Sequence, residues 1–180
     1  MRTTHLVRLA AITVALLLGV SGAALAGNPA TISVTVTIQN LSVSATGPIA
    51  FGTVVAGSQT VSGSGSTVTN DGNVTETYSL NLTNPASWTA VQAAPSAAEE
   101  YALLAQFNAS APTAASFTYG NHAMSTSSVA CSATKFAGDQ TGLSVATSGT
   151  RSLWFRFNAP TSTAVTSQQT ITVTITAAAG

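Results

Sequence analysis

The sequence predicts an all-β protein: an immunoglobulin-like antiparallel sandwich of two sheets, with about nine or ten strands, behind an N-terminal signal peptide. Three observations carry this expectation. Apolar and polar residues alternate with period two along most segments. Turn-forming Gly, Pro, Asn and Asp interrupt them at short intervals. No long segment sustains a helical period. The single cysteine, Cys131, rules out the Cys…Trp…Cys spacing of an antibody-type domain.

Residues 1–26 read as a leader. "MRTTHLVR" is a short basic start with Arg2 and Arg8, "LAAITVALLLGV" is apolar, and "SGAALA" ends on the small-x-small pattern of Ala24 and Ala26. A signal peptidase cuts after such a pattern, so cleavage is expected between Ala26 and Gly27. The apolar run is short for a membrane span. The expected product, residues 27–180, is a single β-sandwich domain with no membrane anchor after processing.

The elements follow in order. "TISVTVTIQNLSVSA" places Ile32, Val34, Val36 and Ile38 on one face and Thr31, Ser33, Thr35 and Thr37 on the other. "PIAFGTVVAGS" reads as a short apolar strand. "SQTVSGSGSTVTN" reads as a weaker one, interrupted by glycine. "NDGN", Asn70 to Asn73, is a tight-turn signal. "VTETYSLNLT" should point Tyr78, Leu80 and Leu82 inward. "SWTAVQA" begins again at Trp88 after the Asn84-Pro85 break.

"SAAEEYALLAQF" carries two patterns. Ser96 and Glu99 form a capping box, while Tyr101, Leu103, Ala105 and Phe107 alternate with period two. The β character of its neighbours decides for a strand. "ASFTYG" and "TGLSVATSG" read as short strands, and "NHAMSTSSVACSATKFAGDQ" as a long loop or weak edge strands. "TRSLWFRFNAP" is the clearest strand of the second half. Its Leu153, Phe155 and Phe157 share one face, with Trp154 and Arg156 on the other. "TITVTITA", Thr170 to Ala177, closes the chain and nearly repeats Thr31 to Ile38. Neighbouring first and last strands covering the same core would account for that repeat.

Charge narrows the function. Without Arg2 and Arg8 the product keeps Lys135, Arg151 and Arg156 against Asp71, Glu76, Glu99, Glu100 and Asp139, a net charge of −2. Scattered cations do not form a phosphate-binding patch, so nucleic acid is not an expected partner. An uncharged Ser, Thr, Asn and Ala surface does little to keep copies apart, as suits a protein that assembles.

Catalytic chemistry is sparse. The product has one histidine, His122, and no G-x-S-x-G elbow, H-E-x-x-H or Cys/His cluster. Glu99 and Glu100 would point to opposite faces of a strand, which is wrong for an acid/base pair. No catalytic residue, cofactor or metal is therefore expected. His122 reads as a loop or cap residue, and Cys131, among small residues, as a buried inert thiol. Trp154 beside Arg156 could stack on a sugar, but burial of both strand faces accounts for it as well. The N-x-S/T sequons at Asn40, Asn73, Asn81 and Asn108 arise readily in so Ser/Thr-rich a chain.

The leader, the alternating strand after the cut, the hairpin "STVTNDGNVTETYSLNL" and the Ser/Thr-rich closing strand together resemble secreted prokaryotic β-sandwich fibre subunits of the camelysin/TasA type. "IAFGTV" is similar to the "FG" strand of spore-coat-U-like and chaperone–usher pilins. The latter pattern expects a disulfide, which Cys131 alone cannot form. The resemblance implies a subunit of an extracellular filament, biofilm matrix or coat, in which the N-terminal strand of one copy completes the sandwich of the next.

Edge physics leads to the same expectation. The stretch from Thr31 to Ser44 has no Pro, no Lys and no other charge, whereas monomeric proteins usually blunt such an edge. Ile32, Val34, Val36 and Ile38 are therefore the expected assembly residues of a donor strand in a homopolymer. The alternatives are a monomeric adhesin-like module that binds glycan or protein through its loops and, further off, a hydrolase built around His122.

Overall fold

The computed structural model describes residues 30–180; the expected leader and its cleavage point lie outside the described residues. The chain divides into two units, Met1–Thr37 and Ile38–Gly180. In the first, the described residues 30–37 have no secondary structure and are all exposed. The second unit is nearly all β and holds nine strands in two sheets.

The strands are β1 (Val43–Ala45), β2 (Gln59–Val61), β3 (Ser66–Asn70), β4 (Glu76–Thr83), β5 (Thr89–Ala90), β6 (Glu100–Phe107), β7 (Val129–Ala130), β8 (Thr150–Asn158) and β9 (Thr172–Ala179). The larger sheet runs β1-β3-β8-β6-β5, with β2 also on β8; the smaller runs β7-β4-β9. All pairs are antiparallel except the short β5–β6 pair. Strand β8 is the spine of the larger sheet. One side pairs with β6, from Ala102↔Asn158 to Phe107↔Leu153. The other pairs with β2 and then β3, on either side of the Gly-Ser-Gly bend.

The core lies between the sheets. Alternation along β4 buries Tyr78, Leu80 and Leu82, and they meet Leu103, Phe107, Leu153 and Phe155 of the larger sheet in one cluster. Each such side chain contributes about 1.5–3 kcal/mol by leaving water. β6 is buried almost throughout, because its outer face is covered too. Ala102 and Leu104 pack there with Phe117 and Ala123, carried by a 3-10 turn, Ala114–Ser116, and a short helix α1, Tyr119–His122.

Most expected strands form: β4, β6, β8 and β9 lie where the alternation puts them, and residues 97–107 resolve to a strand from Glu100 onward. Four expectations are corrected. Residues 31–38 are not in a strand, and β9 pairs with β4 rather than with them. A period-two stretch becomes a strand only where an edge receives its backbone, so the repeat of "TISVTVTI" in "TITVTITA" does not reflect neighbours over one core. "PIAFGTVVAGS" forms no strand; it crosses as a flap whose turns use positive φ at Gly52 (66°) and Gly57 (72°), angles that glycine adopts without strain. "ASFTYG" winds into the 3-10 turn and α1. "TGLSVATSG" makes only an isolated bridge, Val145 to Glu76.

Candidate assembly site

The two sheets do not close at β9. Strand β4 has partners on both sides and its inward side chains are fully buried. Among the described residues, strand β9 has β4 on one side only. Its inward Val173, Ile175 and Ala177 pack on the core yet stay half-exposed. Beside them runs a groove of about 1040 Å³. Phe155 and Phe157 of β8, Ile49 and Phe51 of the flap, and Val173 and Ile175 of β9 all line it. Phe51 and Trp88 lie against Phe157, with ring centroids 5.6 and 5.9 Å away. The groove thus joins an open backbone edge to an apolar trough.

The far rim of the groove, the segment after Pro160, is tied down by an acid. Glu99 has a positive φ of 62°, and its carboxylate accepts bonds from Thr163 Oγ1 (2.7 Å) and Ala164 N–H (2.8 Å). These bonds, the hydroxyl first, hold its carboxyl below the usual range. Glu100 instead accepts from the Ser96 and Ala97 amides. The two carboxylates serve separate turns.

The expected assembly residues are uncovered. Ile32, Val34, Val36 and Ile38 are 88, 87, 85 and 79% exposed. Leaving apolar side chains in water forfeits about 25 cal/mol per Å², so this arm carries unused binding surface. Its root is fixed. Asn73 Nδ2 donates to Ile38 O (2.8 Å), Asn40 N–H donates to Asn73 Oδ1 (2.8 Å), and Asn73 N–H donates to Asn40 O (3.1 Å). Ser42 N–H donates to the buried Glu76 Oε1 (2.8 Å). Gly72 is required at this turn, since a Cβ there would collide with Glu76 Oε1 and Asn40 O.

The remaining candidates are structural in their contacts. His122 is buried; its Nδ1 accepts from Thr118 N–H (2.8 Å), and its Nε2 lies 3.0 Å from Ala137 O. Burial depresses its pKa, so it sits as a neutral ring with both nitrogens engaged. Trp154 is half-buried and donates through Nε1 to Asn108 O (2.9 Å). Among the described residues no group of three or more His, Cys, Asp or Glu stands together.

Cys131 is buried, and burial pushes its thiol up to about 12. It is a protonated core side chain at neutral pH. Cys131→Ser is expected to keep the fold and lower the thermal midpoint by about 2–12 °C, since burying a hydroxyl costs roughly 1–3 kcal/mol and each kcal/mol shifts a chain of this size by about 2–4 °C. Assembly should be unchanged. A covalent dimer on non-reducing gels, lost in the variant, would make the thiol a bridge instead.

Sequence reasoning singled out the arm but not its counterpart. The groove residues Ile49, Phe51 and Trp88 lie in segments without alternation, and nothing in them signals an unfilled space. Asn73 was visible only as part of a turn and as one of the sequons. No protein-family model, curated protein or solved structure matches this chain.

Proposed function

We propose that the chain is a secreted, non-enzymatic structural protein that self-assembles outside the cell. In this reading it is an immunoglobulin-like sandwich with one strand position open, beside β9. Residues 31–38 of one copy fill that position in the next, head to tail, as a donor strand. The observation that carries the reading is the complementarity of the open β9 edge and the arm. The edge offers unpaired backbone over an apolar groove. The arm offers unpaired backbone with Ile32, Val34, Val36 and Ile38 in alternation. Strand addition uses these two features together: backbone bonds for affinity, alternate side chains for register.

The outer faces agree as well. On the smaller sheet Thr172, Thr174 and Thr176 oppose Thr83, Asn81 and Ser79. A seated arm would turn Thr31, Ser33, Thr35 and Thr37 the same way and continue that hydroxyl-bearing surface. Cross-strand Thr and Ser pairs add modest stability of their own. In this reading the partner is a second copy of the chain.

Removing Gly27–Ile38 tests this. The core cluster and all nine strands lie beyond Ile38, so the shortened subunit keeps its fold. It should form no polymers, and a synthetic peptide of residues 31–38 should bind it. If the intact secreted chain stays monomeric at high concentration and the shortened subunit ignores the peptide, donor-strand assembly is wrong. An adhesin-like binding module then replaces it.

A further inference from the structure

Resting on the donor-strand reading, we propose that Asn73, by fixing the backbone at the arm's root, favours filling of a neighbour's groove over the chain's own. Direction has to be controlled because self-filling is within reach. The turn that holds the arm's root lies beside the C-terminal end of β9: Gly180 N–H donates to Thr75 O (2.9 Å). The arm runs toward Ile38, and β9 runs toward Gly180. If the chain pivoted between Ile38 and Asn40, the arm could lie along β9 in parallel. Residues 30–38 would span about 30 Å when extended, enough to follow β9 for its whole length of about 26 Å. A subunit that filled its own groove would be a closed monomer.

The pivot is where Asn73 acts. Its side chain bonds the backbone on both sides of Gln39, donating to Ile38 O and accepting from Asn40 N–H, while its own N–H donates to Asn40 O. One short side chain thus fixes the backbone over three residues at the base of the arm. The next residues are held independently. Asp71 N–H donates to Ser42 O (2.8 Å), and Ser42 N–H donates to Glu76. Loss of the Asn73 side chain would therefore free the pivot without releasing β1. Asn73 lines no part of the groove and meets the arm only at the backbone of Ile38, so its role is positioning.

The test compares three secreted chains: wild type, Asn73→Ala and the subunit lacking Gly27–Ile38. Sedimentation velocity reads the polymer fraction, and a labelled peptide of residues 31–38 reads whether grooves are empty. Two lost side-chain bonds should shift Asn73→Ala from polymer toward monomer by about tenfold. Those monomers should bind the peptide at least tenfold more weakly than the shortened subunit, because their grooves hold their own arms. Their thermal midpoint should not fall. Asn73→Asp, which keeps the acceptor and removes only the donor to Ile38, should shift the same way if the alanine variant folds poorly. Polymerisation equal to wild type overturns the role of Asn73, and so do variant monomers that take up peptide as freely as the shortened subunit. A shortened subunit that refuses the peptide overturns the donor-strand reading itself, and this inference with it.

Discussion

Phe155→Ala is expected to lower the unfolding free energy by about 3 kcal/mol, the lower end of the range of about 3–5 kcal/mol for emptying a phenylalanine site in a core. Phe155 sits on the inner face of β8 with Leu153 and Phe157 and belongs to the cluster that joins the two sheets. It also lines the open groove, so water can enter part of the space left behind, which softens the cavity cost. Phe107→Ala should cost more. Phe107 is completely enclosed, between Tyr78 at a centroid distance of 6.3 Å and the close packing around Cys131 and Gly142. Urea denaturation of both variants checks the size and the order. Wild-type stability in Phe155→Ala would mean that the inner face of β8 is wrongly assigned. The same variant should weaken arm-peptide binding, because it removes part of the groove lining.

Arg156→Leu should cost about 2–3 kcal/mol, in line with the loss of hydrogen bonds from a charged donor to buried acceptors. Arg156 lies on the outer face of β8 and is buried. Its Nη1 donates to Ala114 O (2.6 Å) and Phe117 O (2.9 Å), and its Nε to Asn158 Oδ1 (3.1 Å). The guanidinium also lies 5.8 and 5.4 Å from the ring centroids of Phe117 and Tyr119, the range of a cation–π contact. These bonds hold the 3-10 turn and α1 against the larger sheet. Leucine fills much of the space but leaves both carbonyls without their donor. Arg156→Lys should recover only part of the loss, since one ammonium cannot reproduce a planar fork. Amide exchange at Phe117 to Ala123 should accelerate before global unfolding does. Unchanged exchange there would mean that the segment is held by its apolar contacts alone.

The comparison of sequence and structure divides along one physical line. Where a segment's pattern and its burial come from the same strand, the sequence was sufficient. Tyr78, Leu80 and Leu82 alternate and are buried; Leu153, Phe155 and Phe157 share a face and meet them. The flanking strands also rightly outweighed the helical signal of residues 97–107, because a lone capping box cannot compete with an inner strand position that buries Tyr101, Leu103 and Phe107. Where the outcome depends on what lies opposite, the sequence was silent. "ASFTYG" has a strand's composition but winds into turns, because the larger sheet needed a cover over Ala102 and Leu104 and a partner for Arg156. "PIAFGTVVAGS" has a strand's hydrophobicity, but positive-φ turns at Gly52 and Gly57 break its run, and it became a flap.

The sequence by itself determined the all-β character, the inner faces of β4, β6 and β8 and the arm with its four apolar residues. Alternation is a property of neighbouring residues, and it survives any arrangement of the strands. Only the tertiary structure decided that residues 31–38 stand unpaired, that β9 keeps an open edge above a groove, and that Asn73 grips the root of the arm. Each of these depends on which strand lies beside which, and that is settled by packing between segments far apart in the chain. The two halves of the proposed site, an uncovered arm and an uncovered edge, are therefore unequal in the sequence: the arm can be read from its own pattern, whereas an edge exists only once all the other strands have taken their places.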